Sequence, residues 1–583
     1  MNQNNSQPLN KNSIINPFVM LFLWVIIGTG LRFSNLVGKP PWTDEFATLI
    51  AILGRSFKTT PLDQSISIEV LLTPLKILPE APLTNVVNYI TGEDVHPPIY
   101  FVLAHIWAYL FPPSSEYISI WVARSFPALL GVLSIPAIYF LARLAFRSNV
   151  VAQLAAAFMA VSPYSIFISQ EARHYTMSTL WVIASLYCLI QTLQNLHKNN
   201  KIPLPLSLSW VIINTLGMAT HFFFVLTLIA QASVLFLLLF ANHLPVLKNL
   251  KIIQKLPQIP QTNLSSLYAI IAGTIVGTLV WTPLWLRIYG DDQTQWIHGD
   301  GSFNLLSLIN PIVQALAAWI TMLSLLPVEH PNIFILIISA LIMLIFFIWA
   351  LPILWRGIKE QLTDNNQLST TILITFILSA ISEFFIISYI FGIDITRGAR
   401  YNFVYFPAVI LLIAASLATS WKNQISSLSH SQKSVILIWG MAFISAITVV
   451  SNLGYQKYYR PDLFVPIIQQ NTTPNSPILI ATNHQTLVQV GEMMGLAWEF
   501  KKQSPTTKPQ FLLAHEKTIP CQETTCQSPK TLQKTLEKLP RPLDLWLVNF
   551  QVPVNLKDQN CTQKTEKLPY INGYGYQLYH CKP

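Results

Sequence analysis

The chain has 583 residues, of which 52% are hydrophobic and only 11% charged, with a mean hydropathy of +0.45. That composition excludes an ordinary soluble domain and points to a polytopic membrane protein. The formal charge of +10 comes from Lys and Arg dispersed over short loops, without a basic stripe or an RNA-binding motif; membrane lipid, and no nucleic acid, is the expected partner.

Thirteen apolar segments lie near residues 17–35, 97–111, 119–141, 151–170, 175–195, 206–220, 222–241, 265–286, 304–326, 333–355, 370–391, 401–420 and 434–452. The first follows a polar tail holding Lys11 and is followed by Arg32, Lys39 and two prolines rather than a small-residue cleavage site, so it reads as a retained span. A crossing needs about 20 apolar residues. Segment 97–111 is short, with Pro at both ends, and 304–326 carries Asn310-Pro311; both are expected to begin and end on one side. The basic short loops then share one face: Arg143 and Arg147, Lys198 and Lys201, Lys248 to Lys255, Arg356 and Lys359, Lys422 and Lys433. The positive-inside rule makes that face cytoplasmic. Asp44-Glu45, His96, the Gln170–Tyr175 run, the Arg287–Asp300 loop and Arg397–Tyr401 fall on the opposite face. Full crossing by both segments would invert the stretch between them.

Residues 34–96 form a long first external loop, with Phe46–Leu53 and Ile66–Leu78 expected as short helices lying on the bilayer. From 453 the composition turns polar and mixed. Ser476–Ala481, Pro509–Leu513 and Leu543–Phe550 read as strands, and 484–501 and 529–538 as helices. The expected fold is an α-helical polytopic membrane protein of 11–13 spans (residues 1–452) followed by an extracytoplasmic α/β domain (residues 453–583). The expected setting is the plasma (inner) membrane, with a cytoplasmic N-terminus. Four of the five cysteines lie in the tail domain. Outside the cytoplasm they suit two disulfides, with Cys521–Cys526 and Cys561–Cys581 the preferred pairing among three; a zinc site is the rival, without a Cys-x2-Cys pair to favour it.

Ionisable groups beside spans are costly and therefore informative. Asp44 and Glu45 suit a first helical turn, with Thr43 as its cap; two carboxylates at a membrane edge also suit a general base or metal ligands. His96-Pro97-Pro98 suits a rigid helix entry or a contact to phosphate. Arg124 lies inside an apolar segment and needs a partner: Glu45, Glu171 or a phosphate. Ser169-Gln170-Glu171-Ala172-Arg173-His174-Tyr175 joins two apolar segments with almost no loop, which suggests a lining surface. Arg397, Arg400 and Tyr401 open another span with two guanidiniums suited to bidentate phosphate contacts or to interface anchoring.

The order of these motifs, with Arg124-Ser125-Phe126-Pro127-Ala128-Leu129-Leu130-Gly131, Ser162-Pro163 and Thr220-His221-Phe222-Phe223, resembles the GT-C glycosyltransferases that use polyprenyl-phosphate sugars. It looks most like the bacterial branch of the protein O-mannosyltransferase and aminoarabinose transferase group, glycosyltransferase family 39. The resemblance covers about residues 17–241 and, with fewer motifs, 390–410, and the tail carries none of its motifs. It implies an enzyme that passes a sugar from a polyprenyl-phosphate donor to a glycan, lipid or protein acceptor outside the membrane. It makes Asp44 the catalytic carboxylate with Glu45 beside it, and gives a donor-phosphate role to His96, which stands where several relatives have Lys-Pro. Arg400-Tyr401 matches the late arginine motif, and Arg124, Glu171, Arg173, Tyr175 and Arg397 join the expected substrate site. Inversion at the anomeric carbon is the expected course, with a divalent metal near Asp44 and Glu45 a feature on which members differ. The rival readings are a secondary transporter, which would show internal repeats and midplane charges, and a non-catalytic membrane scaffold presenting the tail domain.

Overall fold

The computed structural model describes residues 16–583 apart from 79–80, 95, 113–114, 241–255, 258, 263, 289–296, 298–304, 364–365, 423–429, 475, 505, 518–520, 522–525 and 567. The basic stretch Lys248–Lys255 and most of the Arg287–Asp300 loop lie outside the described residues.

Each of the thirteen apolar segments contains helix. In chain order the helices are α1 (Pro17–Phe33), α2 (Thr43–Ile52), α3 (Ile68–Leu71), α4 (Leu83–Gly92), α5 (Ile99–Tyr109), α6 (Ile120–Phe146), α7 (Asn149–Val161), α8 (Pro163–Ser169) and α9 (Tyr175–His197). They continue with α10 (Leu204–Met218), α11 (Phe224–Phe240), α12 (Ser265–Leu279), α13 (Thr282–Ile288), α14 (Leu305–Leu323), α15 (Ile333–Thr363), α16 (Gln367–Ile390), α17 (Phe406–Lys422) and α18 (His430–Val450). Among the described residues five helices are long and apolar enough to cross a membrane, or six if the bent pair α7–α8 counts as one span, and seven further apolar helices are shorter. Helix α5 has 11 residues, about 16 Å of rise against a hydrocarbon core of about 30 Å, so it does not cross.

The α7–α8 pair bends by 55°. Ser162 ends the first helix and caps the second by accepting from Ser165 N, and Pro163 opens α8 where no amide is needed. The carbonyls freed at the break are taken by Arg32 at the end of α1: its Nη atoms donate to Met159 O at 2.8 Å and Ala160 O at 3.0 Å, and to Ser165 Oγ at 2.7 Å. A guanidinium carries enough donors to close a broken span that hydrocarbon cannot solvate.

At one end of the bundle Ser369 Oγ donates to Ala145 O at 2.6 Å and Gln194 Nε2 to Leu144 O at 3.2 Å. The connections after α6 and α9 and before α16 therefore share that end, and the loops holding Arg143, Arg147, Lys198 and Lys201 meet there.

The tail continues as α19 (Pro461–Asn471), α20 (Leu487–Gln503) and α21 (Ser528–Leu536), with strands β2 (Ile478–His484), β3 (Gln510–His515), β4 (Leu543–Val548), β5 (Cys561–Gln563) and β6 (Tyr576–Cys581). Strands β2, β3 and β4 are parallel and carry near-continuous apolar runs, as strands covered on both faces do. Disulfides join Cys521 to Cys526 and Cys561 to Cys581.

The first loop departs from expectation. It contributes β1 (Ser65–Ser67), which pairs antiparallel with β3 and completes a six-stranded sheet of order β1-β3-β2-β4-β6-β5. The apolar side chains of this loop, among them Phe46, Leu49, Leu71 and Leu75, form one core with Met493, Phe500 and Trp546 of the tail. Instead of lying on the bilayer, these helices bury their apolar faces in protein. The 66–78 stretch is also a strand, one short helix and the 3-10 turn Thr73–Leu75 rather than a continuous helix.

Replacing Arg32 with Met should lower the melting temperature of the detergent-solubilised protein, because each carbonyl left unpaired costs about 1–3 kcal/mol. An unchanged melting curve would contradict the role given to Arg32.

Candidate active site

Helix α2 begins at Thr43, with Trp42 rather than Thr43 at the cap and no side-chain cap bond. Asp44 and Glu45 stand in its first turn, where they complement the helix dipole. Successive residues point about 100° apart on a helix, and the two acids meet opposite surroundings. Glu45 is buried, with its side chain 1% exposed, whereas Asp44 is 29% exposed.

Glu45 is consumed by structure. Arg124 Nε and Nη2 donate to its two oxygens at 2.8 and 2.7 Å, and Ala172 N donates to Oε1 at 2.9 Å. The remaining Arg124 donor, Nη1, reaches Leu36 O and Lys39 O, each at 2.9 Å. Burial pushes the Glu45 carboxyl up, but Arg124, Lys457 and the Ala172 amide outweigh it and hold the group below the usual carboxylate range. Of the partners expected for Arg124, Glu45 is the one found. Glu171 pairs instead with Lys457, whose Nζ also lies 3.9 Å from Glu45 Oε2. Two acids and two bases thus form one buried, neutral network.

Two of the expected site residues thus stand in buried ion pairs, Glu45 with Arg124 and Glu171 with Lys457. The Asp44–Glu45 pair does not fit a metal ion, since both Glu45 oxygens accept from Arg124 and the surroundings are cationic. Among the described residues the one set of three or more His, Cys, Asp or Glu groups with ligand atoms all within 4.8 Å of one another is Glu516, Cys521 and Cys526, and those cysteines are disulfide-bonded.

Asp44 faces the other half of the site. Arg400 Nη2 lies 3.3 Å and Arg173 Nη2 3.9 Å from Asp44 Oδ2. Arg173 Nη1 donates to Asp44 O and Thr48 Oγ1, each at 3.0 Å, which fastens the 170–174 turn to α2. Gln170 fastens the same turn to the end of α1 through Ser34 O at 2.9 Å. Arg173 Nη2 also lies 3.2 Å from His96 Nε2, and His96 Nδ1 lies 2.5 Å from Asp94 Oδ1. A guanidinium only donates, so Nε2 accepts and the His96 proton sits on Nδ1 toward Asp94. His96, His174 and His221 cluster with ring centroids 4.5–6.3 Å apart.

The 3-10 segment Ala399–Val404 carries Arg400 and Tyr401. Tyr164 OH donates to Arg400 O at 2.9 Å, and the guanidinium lies over Trp42 at 4.7 Å and Tyr401 at 5.4 Å. Tyr175 places its ring 5.7 Å from the Arg173 guanidinium. Arg397, by contrast, pairs with Asp394 at 3.3 Å and is more than a third exposed. Asp44, His96, Arg173, Tyr175, Arg400 and Tyr401 are therefore brought together, and Arg124 lies one layer below them.

Sequence reasoning missed Lys457, Trp42, Asp94 and Tyr164. The Trp42 ring has two cations over it, Arg400 at 4.7 Å and Lys457 at 5.1 Å. A signal for Lys457 existed: with Arg460 it is basic, directly after the last apolar segment, on the face otherwise poor in short basic loops.

Removing one partner of the buried pair should be far worse than removing both. Arg124→Met and Glu45→Gln should each cost about 3–5 kcal/mol in stability, and the double variant much less than their sum. Additive losses, measured by thermal melts of the solubilised proteins, would dissolve the proposed pairing.

Solved structures of similar shape include ArnT from Cupriavidus metallidurans, at 10% identity with 97% of this chain and 98% of that chain covered and a TM-score of 0.48. They also include the Archaeoglobus fulgidus oligosaccharyltransferase tethered to an acceptor peptide, at 12% identity, 84% and 64% coverage and a TM-score of 0.44. This chain thus spans 64% of the length of that one. The same organism's AglB, in complex with an inhibitory peptide and a dolichol-phosphate, matches at 13% identity, 91% and 69% coverage and a TM-score of 0.47. No curated protein matches the sequence. Residues 95–254, which include His96, Arg124, Glu171, Arg173, Tyr175 and His221, match the family model of dolichyl-phosphate-mannose-protein mannosyltransferase. The similarity to that family of glycosyltransferases thus spans the segment from the end of the first loop to the stretch after α11.

Proposed function

We propose that this protein moves a sugar from a polyprenyl-phosphate donor to an acceptor hydroxyl on the extracytoplasmic side of the membrane, inverting the anomeric carbon, with Asp44 as general base. One observation carries the reading. Of the four acids grouped at the site (Asp44, Glu45, Asp94 and Glu171) only Asp44 is not deeply buried, and it stands 3.3 Å from Arg400 and 3.9 Å from Arg173.

In the proposed step the acceptor oxygen bonds to the anomeric carbon as its proton passes to the Asp44 carboxylate. The bond from that carbon to the donor phosphate oxygen breaks, and its electron pair stays on the phosphate. Arg400 and Arg173 stabilise this developing charge. The donor phosphate also competes with Asp44 for both guanidiniums, so its arrival releases the carboxylate toward the acceptor. His96, its Nδ1 proton facing Asp94, keeps Arg173 directed into the site. Inversion follows from a single displacement with one base and no covalent glycosyl intermediate.

The orientation rests on the same grounds as before: the basic loops after α6 and α9 share one end of the bundle, and we place it in the cytoplasm, with the tail domain (453–583) outside. The absence of a repeat pattern in the sequence disfavours a transporter.

Deleting the gene should raise one polyprenyl-linked sugar and remove one envelope glycan, glycolipid or glycoprotein by mass spectrometry, which names donor and acceptor together. Complementation with Asp44→Asn should restore protein but not product, with transfer at least about 10²-fold down. Normal product with Asp44→Asn would end the base assignment and favour a non-catalytic scaffold. Arg400→Lys keeps the charge but loses the planar fork, and should slow transfer while leaving the melting temperature in place.

A further inference from the structure

We propose, resting on the reading of Asp44 as base, that the tail domain is part of the catalytic apparatus, with Gly491 and Lys457 as positioning residues for Asp44. Of the contacts that join the tail to the loop that carries this carboxylate, three bear on its position. The first is β1, an edge strand of the tail sheet supplied by the loop, in register Ile66 to Phe511. The second is the crossing of α20 over the start of α2. A Cβ at Gly491 would lie 2.7 Å from Thr43 Cγ2 and 3.3 Å from Thr43 Cα, whereas one turn later a Cβ at Gly495 would meet Phe46 at an ordinary 3.8 Å. Glycine is a poorer helix former than alanine, and at Gly491 the close approach of Thr43 accounts for its presence. Thr43 is the residue before Asp44, so any outward shift of Thr43 moves the carboxylate against Arg400.

The third contact is Lys457, at the entrance to the tail. It neutralises Glu171 beside the Glu45–Arg124 pair and lies over the ring of Trp42, which Arg400 also contacts. Lys39 Nζ fastens the loop to the same connection through Gly454 O at 2.8 Å and Tyr455 O at 3.1 Å. The catalytic loop is thus gripped from both sides by chain that follows the last span.

The test uses full-length protein in detergent and, as donor, the polyprenyl-linked sugar extracted from a strain lacking the gene, with membranes of that strain as acceptor. Gly491→Ala should lower kcat about tenfold, as a displacement of a few tenths of an ångström at a reacting group does. KM for the donor should stay within about twofold, the mark of a loss confined to the transition state. Adding Thr43→Ser, which removes the clashing Cγ2, should recover most of the rate, and Lys538→Ala on an exposed face of the tail should change nothing. Wild-type kcat in Gly491→Ala overturns the proposal, as does a loss that Thr43→Ser fails to rescue and that tracks a fall in melting temperature. Turnover retained by Asp44→Asn would instead remove the base assignment on which the inference rests.

Discussion

The bidentate pair between Glu45 and Arg124 is the contact on which the site depends. Both side chains are 1% exposed, and an uncompensated charge at that depth is destabilising by several kcal/mol. Each therefore commits the other, and the pair fixes α2 of the first loop against the span α6. Lys457 and Glu171 extend it to the turn before α9 and to the connection leading into the tail. Four segments far apart in sequence are held by one neutral network that no aqueous solvation can replace.

That network assigns different work to two adjacent carboxylates. With Glu45 turned inward and neutralised, Asp44 is left at the partly exposed edge, facing Arg173 and Arg400. The cations are fixed in turn: Arg173 by Asp44 O, Thr48 and His96, and Arg400 by its backbone bond to Tyr164 and its stacking on Trp42. In the proposed transfer, cations fixed in this way would need little reorganisation as charge develops on the donor phosphate.

The helices were legible in the sequence because hydrocarbon demands long apolar runs, and the tail strands because parallel strands covered on both faces are apolar throughout. Asp44, His96, Arg173 and Arg400 were legible because ionisable groups beside spans need a reason. The partition of the acids was not. Nothing in Asp44-Glu45 says which side chain turns inward; that follows from where Arg124 arrives, 79 residues later. The pairing of Lys457 was hidden for a similar reason, since its partner Glu171 lies 286 residues away. The loop's strand Ser65–Ser67 is three residues long and acquires its conformation from β3, so its local pattern carried no signal. Arg397 shows the reverse: a guanidinium placed in the expected motif finds a carboxylate three residues before it, at Asp394.

In the proposed reaction Asp44 and a donor phosphate share the same two guanidiniums. A cryo-electron microscopy structure of the protein with polyprenyl phosphate tests it most directly. Phosphate oxygens should lie against Arg400 and Arg173, with the Asp44 carboxylate turned away from Arg400 and the Glu45–Arg124 pair unchanged. Phosphate bound elsewhere, with Asp44 still on Arg400, would contradict it.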